Sequence, residues 1–143
     1  FCARMKRGTL YSLCREHGYN VLVLGQHLDD LAESFLMSAF FGGKLNTMKA
    51  HYEIDAGDLR VIRPFIYVRE RQTADFARRA GLPVIGDSCP ACFQHPTERA
   101  RMKALLAAQE AEHPKIFASL LTAMRPLMGE DREFDELKAH EDD

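Results

Sequence analysis

Val21-Leu22-Val23-Leu24-Gly25-Gln26-His27-Leu28-Asp29-Asp30-Leu31-Ala32-Glu33-Ser34 is the stretch on which the fold turns. Its first four residues are a continuous apolar run, the pattern of a strand buried on both faces. Past Gly25, the apolar residues Leu28, Leu31, Phe35, Leu36 and Phe40 recur at helical spacing. The reading is strand, tight glycine turn, polar cluster, helix. It puts His27, Asp29 and Asp30 at the carboxyl end of a strand and in the first turn of a helix, where open α/β sheets bind their ligands. Two adjacent carboxylates there could hold Mg²⁺ on a nucleotide, since that ion takes one or two carboxylates together with phosphate oxygens. Acidic residues in a first helical turn also complement the helix dipole without any ligand, so the pair has an ordinary structural explanation as well.

Working outward, the pattern predicts a helix over 3–17, with Met5, Leu10, Leu13 and Cys14 near one face and Gly18 as its stop. A strand over 20–24 and a helix over 28–41 follow. Residues 42–58 read as irregular, with Gly57 in a turn, and 59–62 as a short strand ended by Pro64. Next come a helix over 70–80 closed by Gly81, a short strand over 82–85 and a loop over 86–96. Helices over 97–111 and 114–124 complete the order, with Pro114 suited to a first helical position. Helices alternating with short apolar strands argue for α/β layering, with the last two helices appended. Phe40 and Phe41 read as core or groove lining, not as a base-stacking platform.

At 143 residues the chain has the size of one domain able to bury a core. An apolar content of 46% with 28% charged residues is that of a globular protein, and no apolar run approaches a membrane span. We expect one domain over 1–128 and an acidic, mobile tail over 129–143. The net charge of −2 does not advertise a nucleic-acid binder. Basic residues are clustered nevertheless: Arg4, Lys6, Arg7 and Arg15 near the start, then Arg60, Arg63, Arg69, Arg71, Arg78 and Arg79. Such clusters can track a phosphate backbone, and they can equally be solvated helix faces.

Of the four cysteines, Cys14 sits among apolar residues in the first helix and reads as a buried small hydrophobe. Cys89-x-x-Cys92 is half a metal site or a redox pair, because two intervening residues let both sulfurs converge. As a bare pattern it favours zinc, with His95 and Cys2 available as further ligands.

The segment Gly25–Ser34 resembles the Gly-His-His-x-Asp-Asp-x-x-Glu-Thr segment of the PP-loop ATP pyrophosphatases that modify tRNA. Phe40-Phe41-Gly42-Gly43-Lys44-Leu45, Val61-Ile62-Arg63-Pro64-Phe65 and Tyr67-Val68-Arg69-Glu70 follow in that family's order. Together with Cys2-Ala3-Arg4-Met5-Lys6-Arg7 and Cys89-Pro90-Ala91-Cys92, they are most similar to its tRNA 2-thiocytidine biosynthesis branch, TtcA. The likeness runs from residue 1 to about 128. It implies an α/β fold, part of a Rossmann-like parallel sheet of the adenine-nucleotide alpha-hydrolase kind with C-terminal helices. It further implies an enzyme that uses ATP, Mg²⁺ and a [4Fe–4S] cluster to adenylate a cytidine in the tRNA anticodon loop and exchange its oxygen for sulfur.

Under that resemblance, Asp29 and Asp30 are the catalytic carboxylates that hold Mg²⁺ or position ATP. Gly25 and His27 shape the nucleotide pocket, while Lys44 and Arg63 contact phosphate or tRNA. Cys2 is a cluster ligand together with Cys89, Cys92 being the alternative. The implied partners are tRNA and a sulfur donor such as a cysteine desulfurase, with a homodimer left open and the cytoplasm as the location. Gln26 and Leu28 depart from the branch pattern, where His and often Arg stand. The family's Ser-Gly-Gly-x-Asp-Ser phosphate loop is not in the sequence, and Gly42-Gly43 follows a helix, the wrong context for one. The expectation is therefore the C-terminal portion of a longer protein, inactive by itself toward ATP. Two other readings remain open: a relative that thiolates uridine, and a non-catalytic zinc-stabilised binding module.

Overall fold

A computed structural model describes residues 2–84 and 97–129. Helix α1 spans Cys2–Glu16, strand β1 Val21–Val23, helix α2 Leu28–Gly42, strand β2 His51–Glu53 and strand β3 Arg60–Ile62. Helices α3 (Glu70–Arg79), α4 (Glu98–Glu112) and α5 (Ile116–Met124) follow, and a 3₁₀ turn over Arg125–Leu127 ends the described part.

The three strands make one sheet in the order β1-β3-β2. β1 and β3 are parallel, with Leu22 opposite Val61, and α2 is the crossover between them. The α/β expectation is borne out, and the parallel pair carries an added antiparallel strand. β2 pairs with β3 as a hairpin, Tyr52 opposite Val61, inside the 42–58 segment read as irregular. Three residues are too few for a periodicity signal, yet the hairpin is locally encoded. Ile54 N–H donates to Leu59 O at 3.1 Å around a turn that has Gly57 at φ +71°.

Three further expectations are corrected. Residues 82–84 form no strand, and Leu82 and Val84 are exposed; residue 85 lies outside the described residues. β1 is not buried on both faces. It stands at an edge of the sheet, with Val21 42% and Val23 58% exposed. Phe40 and Phe41 are not core but solvent-facing, packed edge-to-face on each other with centroids 6.5 Å apart. They sit in the last turn of α2, whereas the residues that α2 buries (Leu28, Leu31, Ala32 and Glu33) all lie in its first two turns. Cys14 is buried as expected.

The core gathers on that N-terminal half of α2. Leu28, Leu31 and Ala32 pack with Ile66, with Leu106 of α4, Phe117 and Met124 of α5, and Met128. This packing pins the start of α2 beneath the two C-terminal helices and so fixes the polar cluster at the end of β1. Of the acidic tail expected over 129–143, residues 130–143 lie outside the described residues.

Candidate functional site

His27 is the N-cap of α2, with extended backbone at φ −118° and ψ 177°. Its N–H donates to Asp30 Oδ2 at 3.0 Å, and Asp30 N–H donates to His27 Nδ1 at 3.4 Å. This is a reciprocal capping box built from His and Asp in place of the usual hydroxyl and Glu. The end of β1 and the start of α2 are tied down by Leu24 N–H to Ile62 O and Leu28 N–H to Val68 O, both 2.9 Å.

The adjacent carboxylates point to different clefts. Asp29 faces a cleft of about 430 Å³ that is also lined by Arg69, Glu110 and Phe117. Asp30 faces one of about 380 Å³ with His27, Thr97 and Arg99. Glu33, Glu70 and Lys103 border both. Neighbouring residues on a helix project about 100° apart, so one motif serves two surfaces.

Asp29 is saturated by protein donors. Arg69 Nε and Nη2 lie 3.0–3.2 Å from its oxygens, and Glu70 N–H donates to Oδ2 at 2.7 Å. The same guanidinium reaches Glu110 at 2.6 and 2.9 Å and lies 3.3 Å from the centroid of the Phe117 ring. Planar five-donor geometry lets one Arg serve two carboxylates while stacking on an aromatic face. Burial pushes the Asp29 carboxyl up, but the Arg69 hydrogen bonds and the Glu70 N–H outweigh it and hold it below the ordinary range.

Asp30 is held differently. Its Oδ1 accepts from Arg99 Nη2, and Arg99 Nε donates to Glu33 Oε2 at 2.6 Å. Glu33, 4% exposed, is the most buried carboxylate described; burial lifts its carboxyl and Arg99 only partly offsets that. Arg99 lies in the first turn of α4 and so ties that helix to the motif. Lys103, one turn on, reaches Glu70 Oε2 at 2.5 Å.

The other predicted residues are dispersed. Gly25 adjoins the cluster, and a Cβ there would meet no described atom within 4 Å. Arg63, 7% exposed, follows β3 and donates to Gln26 Oε1 at 3.1 Å and Lys49 O at 2.6 Å. It therefore touches the loop of the motif at Gln26, the position that departs from the branch pattern. Lys44 follows the C-cap Gly43, at the far end of α2 from Asp29 and Asp30; a helix of that length runs roughly 22 Å. Cys2 opens α1, while Cys89 and Cys92 lie outside the described residues. Among the described residues, no cluster of three His, Cys, Asp or Glu side chains could hold a metal by itself. The carboxylates fit Mg²⁺ only as one or two ligands beside phosphate oxygens.

Sequence reasoning missed Glu33, Arg69, Arg99 and Glu110 as members of the cluster. Glu33 and Arg69 stood inside quoted motifs, but their partners are separated from them by 66 and 41 positions, and no spacing announces such pairs.

Comparison with known proteins agrees with this geometry. The chain is 46% identical over 123 residues to the tRNA-cytidine(32) 2-sulfurtransferases of Geobacter metallireducens and Geobacter sulfurreducens, which covers 86% of the chain and 48% of each relative. It thus spans about half the length of the curated relatives it matches. Its fold is similar to that of the U34-tRNA thiolase NcsA from Methanococcus maripaludis, solved with its [4Fe-4S] cluster. The TM-score is 0.72 at 20% identity, over 90% of this chain and 43% of that one. A PP-loop domain model matches residues 2–110, and the chain belongs to the PP-loop family.

Proposed function

We propose that the natural protein carrying this chain is an ATP-dependent tRNA sulfurtransferase that converts a tRNA cytidine to 2-thiocytidine in the cytoplasm. The observation that carries this reading is the 46% identity, across most of the chain, to enzymes named for that reaction. In the reaction, the carbonyl oxygen on carbon 2 of the base attacks the α-phosphorus of ATP and pyrophosphate leaves. A sulfur nucleophile then takes carbon 2 and AMP departs. Adenylation is needed because the carbonyl oxygen is otherwise a poor leaving group.

The division of labour between the two motif carboxylates follows from their contacts. Asp30, held at the mouth of its cleft by the capping box and Arg99, is the carboxylate that meets Mg²⁺ and the nucleotide. Asp29 keeps that helix end in place through Arg69 and Glu70. Gly25 and His27 form the turn against which the nucleotide lies. Arg63, directly after β3 and bonded to Gln26, is a cation at this end of the sheet, and Lys44 is available to tRNA beyond the far end of α2. A cluster held by Cys2 with Cys89 or Cys92 would supply the sulfur, charged by a donor such as a cysteine desulfurase.

The test is tRNA-dependent release of pyrophosphate and AMP by the anaerobically prepared natural protein. Asp30→Asn should lower it at least a hundredfold and leave the visible spectrum of the cluster unchanged, while Cys89→Ser should remove that spectrum and keep ATP binding. Retained turnover in Asp30→Asn would refute its role. Stoichiometric zinc without iron or labile sulfide would favour a binding module instead.

A further inference from the structure

A third cleft, of about 480 Å³, lies between α1 and the 47–55 segment. Arg7, Tyr11 and Arg15 recur at four-residue spacing and so share one face of α1. Arg15 pairs with Asp58 in the β2–β3 turn at 2.6 Å, and the Tyr11 hydroxyl meets the Tyr52 hydroxyl at 2.9 Å. Those two contacts set the direction of α1, which brings Arg7 one turn farther along, toward the carboxyl ends of β1 and β3. Arg63 stands at that same end, directly after β3, with its N–H bonded to Ala50 O at 2.9 Å beside Lys49. Its guanidinium lies 5.5 Å from the centroid of the Tyr52 ring.

Charge is therefore sorted along the cleft. Arg7, Lys49 and Arg63 gather at the carboxyl end, and Glu53 and Asp55 stand toward the hairpin turn. Glu53 is engaged by Arg60 at 3.4 Å, so it does not neutralise the basic end. Arg63 is immobilised by Gln26 and by Lys49 O, whereas Lys49 and Arg7 are exposed, Arg7 reaching the Tyr52 hydroxyl. The Arg7 guanidinium, the Lys49 ammonium and the Nη2 of Arg63, which the Gln26 and Lys49 bonds leave over, suit the oxygens of a phosphate.

We infer that the basic end of this cleft is a phosphate-binding site, with Arg63 as its fixed contact, Arg7 and Lys49 as its exposed ones and Tyr52 as a hydroxyl donor. The phosphate belongs either to the RNA backbone or to a nucleotide. This inference rests on the reading that the natural protein handles tRNA and ATP.

The experiment measures tRNA binding against salt concentration, and ATP binding, for the natural protein and for Arg7→Ala/Lys49→Ala, with Lys115→Ala as a surface control. An RNA phosphate predicts that the slope of log affinity against log salt becomes shallower by about 0.7–0.9 for each phosphate-bound cation removed, with ATP affinity unchanged. A nucleotide phosphate predicts an ATP affinity at least tenfold weaker with the salt slope kept. Tyr52→Phe, which retains the ring beneath Arg63, should weaken the same ligand several-fold. If the double variant changes neither measurement, the site is overturned. Binding is read without turnover. A protein that binds both ligands but makes no 2-thiocytidine would therefore overturn the functional reading and leave this site standing.

Discussion

Asp29 and Arg69 form the ion pair on which the candidate site is hung: the guanidinium at the start of α3 lies 3.0–3.2 Å from the carboxylate in the first turn of α2. Through Glu110 and Phe117 it also fastens α4 and α5 to that turn. Each member of the trio is at least three-quarters buried, with side-chain exposures of 13%, 13% and 22%. Replacing Arg69 by Met leaves Asp29 and Glu110 facing each other, with the exposed Arg71, 3.6 Å from Glu110, as the remaining ion-pair partner. Loss of one partner from a fully buried pair costs about 3–5 kcal/mol. The partial exposure here lowers the expectation to about 2–3 kcal/mol, read as a shift in urea midpoint.

The same pair makes stability depend on acid. Asp29 titrates below its ordinary value in the folded chain, so its contribution is present above the unfolded carboxylate pKa of about 4 and is lost as pH falls through the folded value. Glu110, lowered chiefly by Arg69, acts in the same sense. Glu33, raised by burial, acts in the opposite one: its contribution is present below the unfolded value and is lost as pH rises through the folded value. Urea midpoints should fall as pH drops below about 4, and the fall should be shallower in Asp29→Asn. An equally steep fall in that variant would remove Asp29 from the explanation.

Arg99→Gln should expose the cost of the buried Glu33. Without its cation the carboxylate is left in a site that is 4% exposed, and the expected loss is about 1–3 kcal/mol at pH 8. The loss should be smaller at pH 5, where Glu33 can take up a proton. A pH-independent loss would point to packing instead.

Phe40 and Phe41 show where pattern reading fails. Helical spacing assigned Phe40 to the same stripe as Leu28 and Leu31, and the stripe is real, but its burial fades along α2, from Leu28 and Leu31 through the partly buried Phe35 and Leu36 to the exposed Phe40. Periodicity tells which face of a helix is apolar and is silent on how far a neighbour extends along it. Phe40→Ser/Phe41→Ser should therefore change the stability of this chain by under about 0.5 kcal/mol per site, against about 3–5 kcal/mol for a buried Phe. Calorimetry separates the two.

The strand–turn–helix at 21–42 was legible because continuous apolar and 3.6-residue patterns adjoin there with a glycine between them. Gly18 and Gly81 likewise marked helix ends, and both adopt positive φ. β2 was not legible, since a three-residue strand owes its existence to pairing with β3. The partners of Asp29, Asp30 and Glu33 escaped for a related reason: Arg69 and Arg99 are brought in by helix packing, which local sequence does not encode.

The central claim is tested most directly by nucleoside mass spectrometry of tRNA from cells with and without the gene. The account predicts that 2-thiocytidine disappears on deletion and returns with the intact gene but not with an Asp30→Asn copy. Unchanged 2-thiocytidine in the deletion strain would contradict it.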